Sequence, residues 1–110
     1  MSYEFSEKIR QMILEEPYCG KCGRNSNAIL EIHHCNGRTS NSVFNAVLLC
    51  KKCHDKVTMS KCEQTKFIKS TWESVQRNNP EYQITENDME FFQLIAKKWG
   101  MELIDFMILI

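Results

Sequence analysis

The most informative part of this sequence is a pair of cysteine motifs, YCGKCG at residues 18–23 and CKKCH at residues 50–54. Zn²⁺ favours four tetrahedral ligands, and a gap of two residues lets both thiolates of one motif reach the same ion. The alternative is a chance spacing of buried free thiols. We predict a closed structural zinc site, with no position left for water or substrate, held by Cys19, Cys22, Cys50 and Cys53. Cys35 and Cys62 lack such a partner and are interpreted as free thiols.

The length and composition of the chain exclude several protein classes. It has 110 residues, of which 43% are hydrophobic, with four glycines and two prolines, so it is neither disordered nor collagenous. The apolar run FMILI at residues 106–110 is far shorter than the roughly 20 residues that a membrane span needs, so we expect no membrane partner. The N-terminus lacks a secretory pattern, which favours a cytoplasmic location with reduced thiols and a metal site over disulfides.

Two short strands are expected between the cysteine motifs. Ser6 can cap an N-terminal helix within residues 1–17, and residues 29–34 and 46–49 are apolar enough to form strands. The polar segment 36–42 is expected to form the loop between these strands.

Helices are predicted for the rest of the chain. Neither glycine nor proline interrupts residues 51–79, so a helix beginning at Cys50 could run unbroken to about Arg77. A last helix has a capping box formed by Thr85 and Asp88, and Gly100 suits the position just past its end.

These elements predict a single α+β domain over residues 1–110, small and stabilised by zinc. Residues 59–110 form a mostly helical C-terminal extension of this domain. The apolar residues 101–110 must be covered either by the core of this chain or by a second subunit, which leaves a homodimer or a larger complex possible.

The charge of the chain is segregated along the sequence. Lys and Arg number 14 and so do Asp and Glu, but residues 17–61 carry a net charge of plus five between the acidic segments 1–16 and 80–110. This basic block contains all three histidines and five of the six cysteines. It suggests contact with a polyanion, although solvated surface charge is an equally simple interpretation.

The histidines form a pattern of their own. His33 and His34 end the first predicted strand, Asn45 precedes the second, and His54 directly follows Cys53. Neighbouring strand residues point to opposite faces, so His33 and His34 should not share one role. A neutral imidazole is a suitable general base near pH 7.

Three segments together, CGKCG at 19–23, LEIHH at 30–34 and NAVLLCKKCH at 45–54, resemble the HNH endonuclease family. The resemblance is to the branch whose ββα-metal motif carries a four-cysteine zinc site, and it covers about residues 18–58. It implies a ββα-metal core with added N- and C-terminal helices, a location in a bacterial or phage-infected cell, and a role in a phage or mobile element.

The resemblance also implies roles for the site residues. His33 and His54 would bind a single catalytic divalent ion, His34 would be the general base that activates water, and Asn45 would position the base and the loop.

The expected ligand shell is open. Thr58 stands where some family members have a further histidine, so the ion would have two protein ligands, which suits Mg²⁺ or a similar ion. Asp55 could be a third ligand but is favoured as a surface residue.

Four basic residues surround this pattern: Arg38, Lys51, Lys52 and Lys56. On a continuous helix, Lys52 and Lys56 would lie one turn apart and could contact phosphates. Two functions are therefore considered. The first is a metal-dependent endonuclease that nicks or cleaves DNA, preferably double-stranded. The second is a zinc module that binds nucleic acid or a protein without cleaving it.

Overall fold

The centre of the fold is an antiparallel pair of strands, described by a computed structural model that covers residues 4–24 and 29–110. In chain order the elements are helix α1 (Glu7–Leu14), strand β1 (Leu30–His34), a 3₁₀ helix (Val43–Asn45), strand β2 (Ala46–Cys50) and helices α2 (Lys51–His54), α3 (Lys61–Asn78), α4 (Glu86–Lys98) and α5 (Leu103–Leu109). This is the predicted α+β class. None of the described helices is both long enough and apolar enough to cross a membrane.

The two strands form where the sequence predicts them. All five residues of β2 are buried, as expected for a continuous apolar run, whereas β1 is half-buried. The antiparallel register pairs Leu30 with Cys50 and His34 with Ala46. His34 therefore lies beside the start of β2, and Cys50 lies at the opposite end of the pair, where the chain enters α2.

The prediction of one helix from Cys50 to Arg77 is wrong. Helix α2 ends at His54, and α3 begins at Lys61. The Ser60 side chain caps α3 by accepting the amide of Glu63 at 3.2 Å, and the Glu63 carboxylate accepts the Thr58 and Met59 amides at 2.7 and 2.8 Å. Side chains that satisfy free backbone amides in this way stabilise a new helix start without help from glycine or proline.

Helix α4 begins and ends as predicted. Thr85 and Asp88 form the full capping box, and Gly100 has a φ of 69°, a left-handed conformation that favours glycine. Phe92 and Ile95 of α4 are buried in the core, where Phe92 packs against Phe44 with ring centroids 4.9 Å apart.

The core of this chain covers only one face of the apolar C-terminus. Phe106 of α5 is fully buried and lies 6.1 Å from Phe92 between ring centroids. Ile104 and Ile108, one turn apart, remain 71% and 75% exposed.

Asp88 joins α4 to the turn that carries Asn45. Its buried carboxylate accepts hydrogen bonds from Ser42 Oγ and the Tyr82 hydroxyl, both at 2.6 Å, and from the Thr85 amide at 3.0 Å. Burial and the bond to this carboxylate raise the pKa of Tyr82. Ser42 in turn caps the 3₁₀ helix by accepting the amide of Phe44. A single carboxylate thus connects helix α4 to the segment that leads into β2.

We expect Asp88→Ala to lower the free energy of unfolding by about 2–4 kcal/mol, because three donors lose their acceptor and one of them, the Ser42 hydroxyl, is buried. Urea denaturation followed by circular dichroism would measure the change. Asp105→Ala is the matched control, since Asp105 is exposed in the first turn of α5. Equal stabilities of Asp88→Ala and Asp105→Ala would contradict the proposed importance of this carboxylate.

Candidate metal centre and adjacent histidine site

The four cysteines of the two motifs converge. The sulfur atoms of Cys19, Cys22, Cys50 and Cys53 all lie within 4.8 Å of one another. Cys22 Sγ and Cys50 Sγ are 3.8 Å apart. A tetrahedron with Zn–S bonds of roughly 2.3 Å has sulfur atoms about 3.8 Å apart, so this distance fits one bound Zn²⁺. Within residues 4–24 and 29–110, this is the one group of three or more His, Cys, Asp or Glu side chains that converges in this way.

The backbone of the first motif forms a tight turn. The Gly23 amide donates to the carbonyl of Cys19 at 2.9 Å, and Gly23 has the positive φ, 76°, expected for such a turn. Gly20 contributes in a different way, by allowing close packing. Its amide donates to the Leu48 carbonyl at 2.6 Å, and an added Cβ would lie 3.1 Å from Val47 Cγ2. Glycine therefore lets the first motif pack directly against β2.

The electrostatics of the cluster suit a cation. Burial opposes ionisation of Cys19, but hydrogen bonds from the amides of Cys22, Cys50 and Lys21 lower its pKa to about 6. Burial, together with the neighbouring thiols, raises the pKa of Cys53 to about 12. Four sulfur atoms at these distances cannot all be thiolates unless a positive ion neutralises their repulsion. Zn²⁺ bound at the centre would supply that charge.

The other two cysteines lie outside the cluster. Cys35 is buried, which raises its pKa to about 12, and Cys62 is exposed on α3. Neither forms a disulfide in the described part of the chain, in agreement with their interpretation as free thiols.

His33 and His54 lie face to face beside this centre. Their ring centroids are 4.0 Å apart and their planes differ by 10°. Burial lowers the pKa of His33, and the nearby His54 lowers it further. The lower pKa favours the neutral imidazole that a metal ligand needs. Imidazole lone pairs lie in the ring plane, so the two rings reach one ion only after one of them turns about its side-chain bonds.

The carboxylates near these imidazoles are peripheral. Glu31 approaches His33 Nε2 at 3.6 Å, and Asp55 approaches His54 Nδ1 at 3.9 Å. Both carboxylates are exposed, which agrees with the interpretation of Asp55 as a surface residue.

His34 has different neighbours from His33. Its ring stacks on Phe5, with centroids 4.4 Å apart and planes 18° apart. The structure thus separates the two adjacent histidines, as the alternation of strand side chains predicts. Phe5 precedes α1 by two residues, and no pattern in the sequence indicated this contact.

Asn45 is completely buried at the end of the 3₁₀ helix, directly before β2. Its Oδ1 accepts the amide of Asn36 at 2.8 Å, and its Nδ2 donates to the carbonyls of Gly37 and Ser40 at 3.0 and 2.7 Å. One side chain therefore holds both ends of the segment 36–40. This location suits the predicted positioning role, which itself stays a prediction.

The predicted basic residues are all at the surface. Lys51 and Lys52 lie on α2, and Arg38 is 3.5 Å from the carboxylate of Glu4. Lys56 lies in the turn after α2, so the expectation that it continues one helical face with Lys52 is wrong, because α2 ends at His54.

One further cation lies near the histidines. Lys98 Nζ donates to Asn36 Oδ1 at 2.7 Å, which brings the end of α4 to the loop after His34. The separation of 62 residues between these partners explains why the sequence did not predict the contact.

No family model, curated protein or solved structure matches the chain. What the structure supports is therefore a small α+β protein with a four-cysteine cluster placed to bind a metal ion, consistent with structural zinc.

We expect the purified protein to contain about one tightly held Zn²⁺ per chain. Replacing Cys53 with Ser should remove the zinc and unfold or strongly destabilise the protein, because structural zinc binding contributes directly to folding. Elemental analysis and thermal melting measure both effects. Cys62→Ser is the matched control, and it should retain both zinc and stability since Cys62 is exposed and outside the cluster. Retention of full zinc by Cys53→Ser would refute the site.

Proposed function

We propose that this protein is a metal-dependent endonuclease of the HNH type that hydrolyses phosphodiester bonds in DNA. The observation that carries the proposal is the stacking of the His33 and His54 rings, whose centroids are 4.0 Å apart. His34 follows His33 at the end of β1, and Asn45 directly precedes β2. The order β1, β2, α2 is also the order of a ββα-metal core. The four-cysteine cluster would hold the second strand and α2 in place.

The proposed chemistry assigns a distinct task to each of these side chains. Neutral His33 and His54 would hold the divalent ion, Mg²⁺ or a similar metal, which would offset the negative charge developing on the phosphate. His34 would take a proton from the attacking water as general base. Asn45, through its bonds to the segment 36–40, would fix the backbone that follows His34.

The surface charges support a polyanionic substrate. Lys51 and Lys52 are exposed on the short helix that also carries His54, and Arg38 lies on the loop held by Asn45. Phosphate contacts of this kind add affinity without reading the base sequence. We propose double-stranded DNA as the substrate.

We expect the wild-type protein to nick supercoiled plasmid in Mg²⁺, Mn²⁺ or Ni²⁺, and His34→Ala to nick at least about 100-fold more slowly. The loss follows from removal of the general base, and added imidazole should restore part of the rate. Gel electrophoresis of plasmid over time measures the effect. The variant and wild type must be purified identically, so that a contaminating nuclease would appear in both. An intact plasmid in every metal, or equal rates for the two proteins, would refute the nuclease.

A second candidate is a zinc module that binds nucleic acid without cleaving it. The exposure of Lys51 and Lys52 next to the zinc ligand Cys53 favours this function independently of the histidines. It differs from the first candidate in predicting DNA binding without cleavage in any metal.

Both candidates predict salt-sensitive binding through α2. We expect the double variant Lys51→Ala/Lys52→Ala to bind DNA more weakly and to reduce the slope of log K against log salt by about 1–2, one phosphate contact per lysine. Fluorescence anisotropy at several salt concentrations measures the slope. Lys66→Ala/Lys69→Ala removes the same charge from exposed positions of α3 and is the matched control. Equal slopes for the two double variants would exclude α2 as the contact.

A further inference from the structure

Gln64 is a buried polar residue, and no pattern in the sequence predicts a buried polar side chain at this position. It lies in the first turns of α3 and is only 1% exposed. A buried amide costs free energy unless its donors and acceptor are all paired, and an apolar side chain at this position would avoid that cost. The hydrogen bonds of Gln64 therefore indicate what the residue does.

The side chain of Gln64 joins the loop after His34 to helix α4. Its Nε2 donates to the carbonyl of Cys35 at 2.9 Å and approaches Asn36 Oδ1 at 3.2 Å. Its Oε1 accepts the indole N–H of Trp99 at 3.0 Å. Trp99, in the C-terminal extension, thus orients the Gln64 amide. The N–H groups of this amide point at Cys35 and Asn36, the two residues that follow His34.

Asn45 holds the same two residues from the other side. The Cys35 amide donates to the carbonyl of Asn45 at 2.6 Å, and the Asn36 amide donates to Asn45 Oδ1 at 2.8 Å. The peptide between Cys35 and Asn36 is therefore fixed on its donor side by Asn45 and on its acceptor side by Gln64. Lys98 adds a bond to Asn36 Oδ1 at 2.7 Å.

We propose that Gln64 is a positioning residue of the active site, which acts on His34 through the backbone of Cys35 and Asn36. This inference rests on the proposed nuclease function. A general base must lie within hydrogen-bond reach of the attacking water, and a displacement of roughly 1 Å can reduce a rate about 100-fold. The helical extension would thereby contribute to catalysis without contacting the substrate at this position.

The test compares a variant that breaks all the hydrogen bonds of this side chain with one that breaks a single bond. Gln64→Met removes the bonds to Cys35, Asn36 and Trp99, whereas Trp99→Phe removes only the indole bond and leaves the other two. We expect Gln64→Met to lower kcat for plasmid nicking about 10- to 100-fold with KM changed less than about 3-fold. Trp99→Phe should lower kcat less than Gln64→Met does, by under about 10-fold, since both donors to Cys35 and Asn36 remain. Gln93→Met, at an exposed position of α4, controls for the substitution itself.

A measurement that does not depend on cleavage accompanies the kinetics. Hydrogen exchange should accelerate at the Cys35 and Asn36 amides in Gln64→Met, while the core amides of β2 and the zinc content stay unchanged. If Gln64→Met does not fold, Gln64→Asn, which keeps the amide but shortens its reach, replaces it in the same comparison.

The outcomes separate this inference from the proposed function. Equal losses of kcat in Gln64→Met and Trp99→Phe, or a change confined to KM, would show a merely structural role for Gln64 and overturn the inference, with the nuclease intact. A wild-type protein that does not nick would refute the nuclease and the catalytic role of Gln64 together. Unchanged exchange at Cys35 and Asn36 would overturn the inference whatever the activity.

Discussion

The convergence of four thiols is the constraint on which the rest of the structure depends. Two of them lie in the turn at residues 19–22 and two lie where β2 passes into α2, so one ion bound there would join the N-terminal part of the chain to the centre of the fold. A sheet of two strands is at most marginally stable alone. A metal ion that cross-links the cluster would stabilise so short a sheet. The close packing of Gly20 against β2 stabilises it further. The same arrangement determines where α2 starts, and hence where His54 meets His33.

A second constraint is the polar network around the segment 35–45. Three buried polar side chains hold this segment: Asn45 from within, Gln64 from α3 and Asp88 from α4. Each has its polar atoms paired, and the described residues contain no buried side-chain nitrogen or oxygen without a partner. Fully satisfied buried networks restrict a structure to one arrangement more strongly than apolar packing does. The loop between the strands is therefore held by buried hydrogen bonds as well as by hydrophobic burial.

Local signals in the sequence predicted much of the fold, and distant contacts were missed. The sequence predicted the two strands, the Ser6 cap and the capping box of Thr85 and Asp88, because each depends on residues within a few positions of one another. The break between α2 and α3 also has a local signal, since Ser60 and Glu63 have capping-box spacing and a helix can begin there without glycine or proline. Contacts of Phe5, Gln64 and Lys98 join residues 28 to 62 positions apart, and no periodic pattern encodes them.

In the candidate site too, contacts between residues close in the sequence were predicted, and contacts between distant residues were not. Sequence spacing predicted the cysteine cluster because metal geometry restricts it to a few arrangements. The proximity of His33 and His54 follows from the strand register and the start of α2, both of which are local. Part of the support for the segment after His34 comes instead from the C-terminal extension, through Gln64, although the sequence of this extension carries a net negative charge. An acidic segment can serve a site that faces phosphates if it contributes buried hydrogen bonds rather than surface charge. Gln64 and Asp88 are both buried and both act on the loop between the strands, so the extension would support the site from the interior while Lys51, Lys52 and Arg38 face the polyanion.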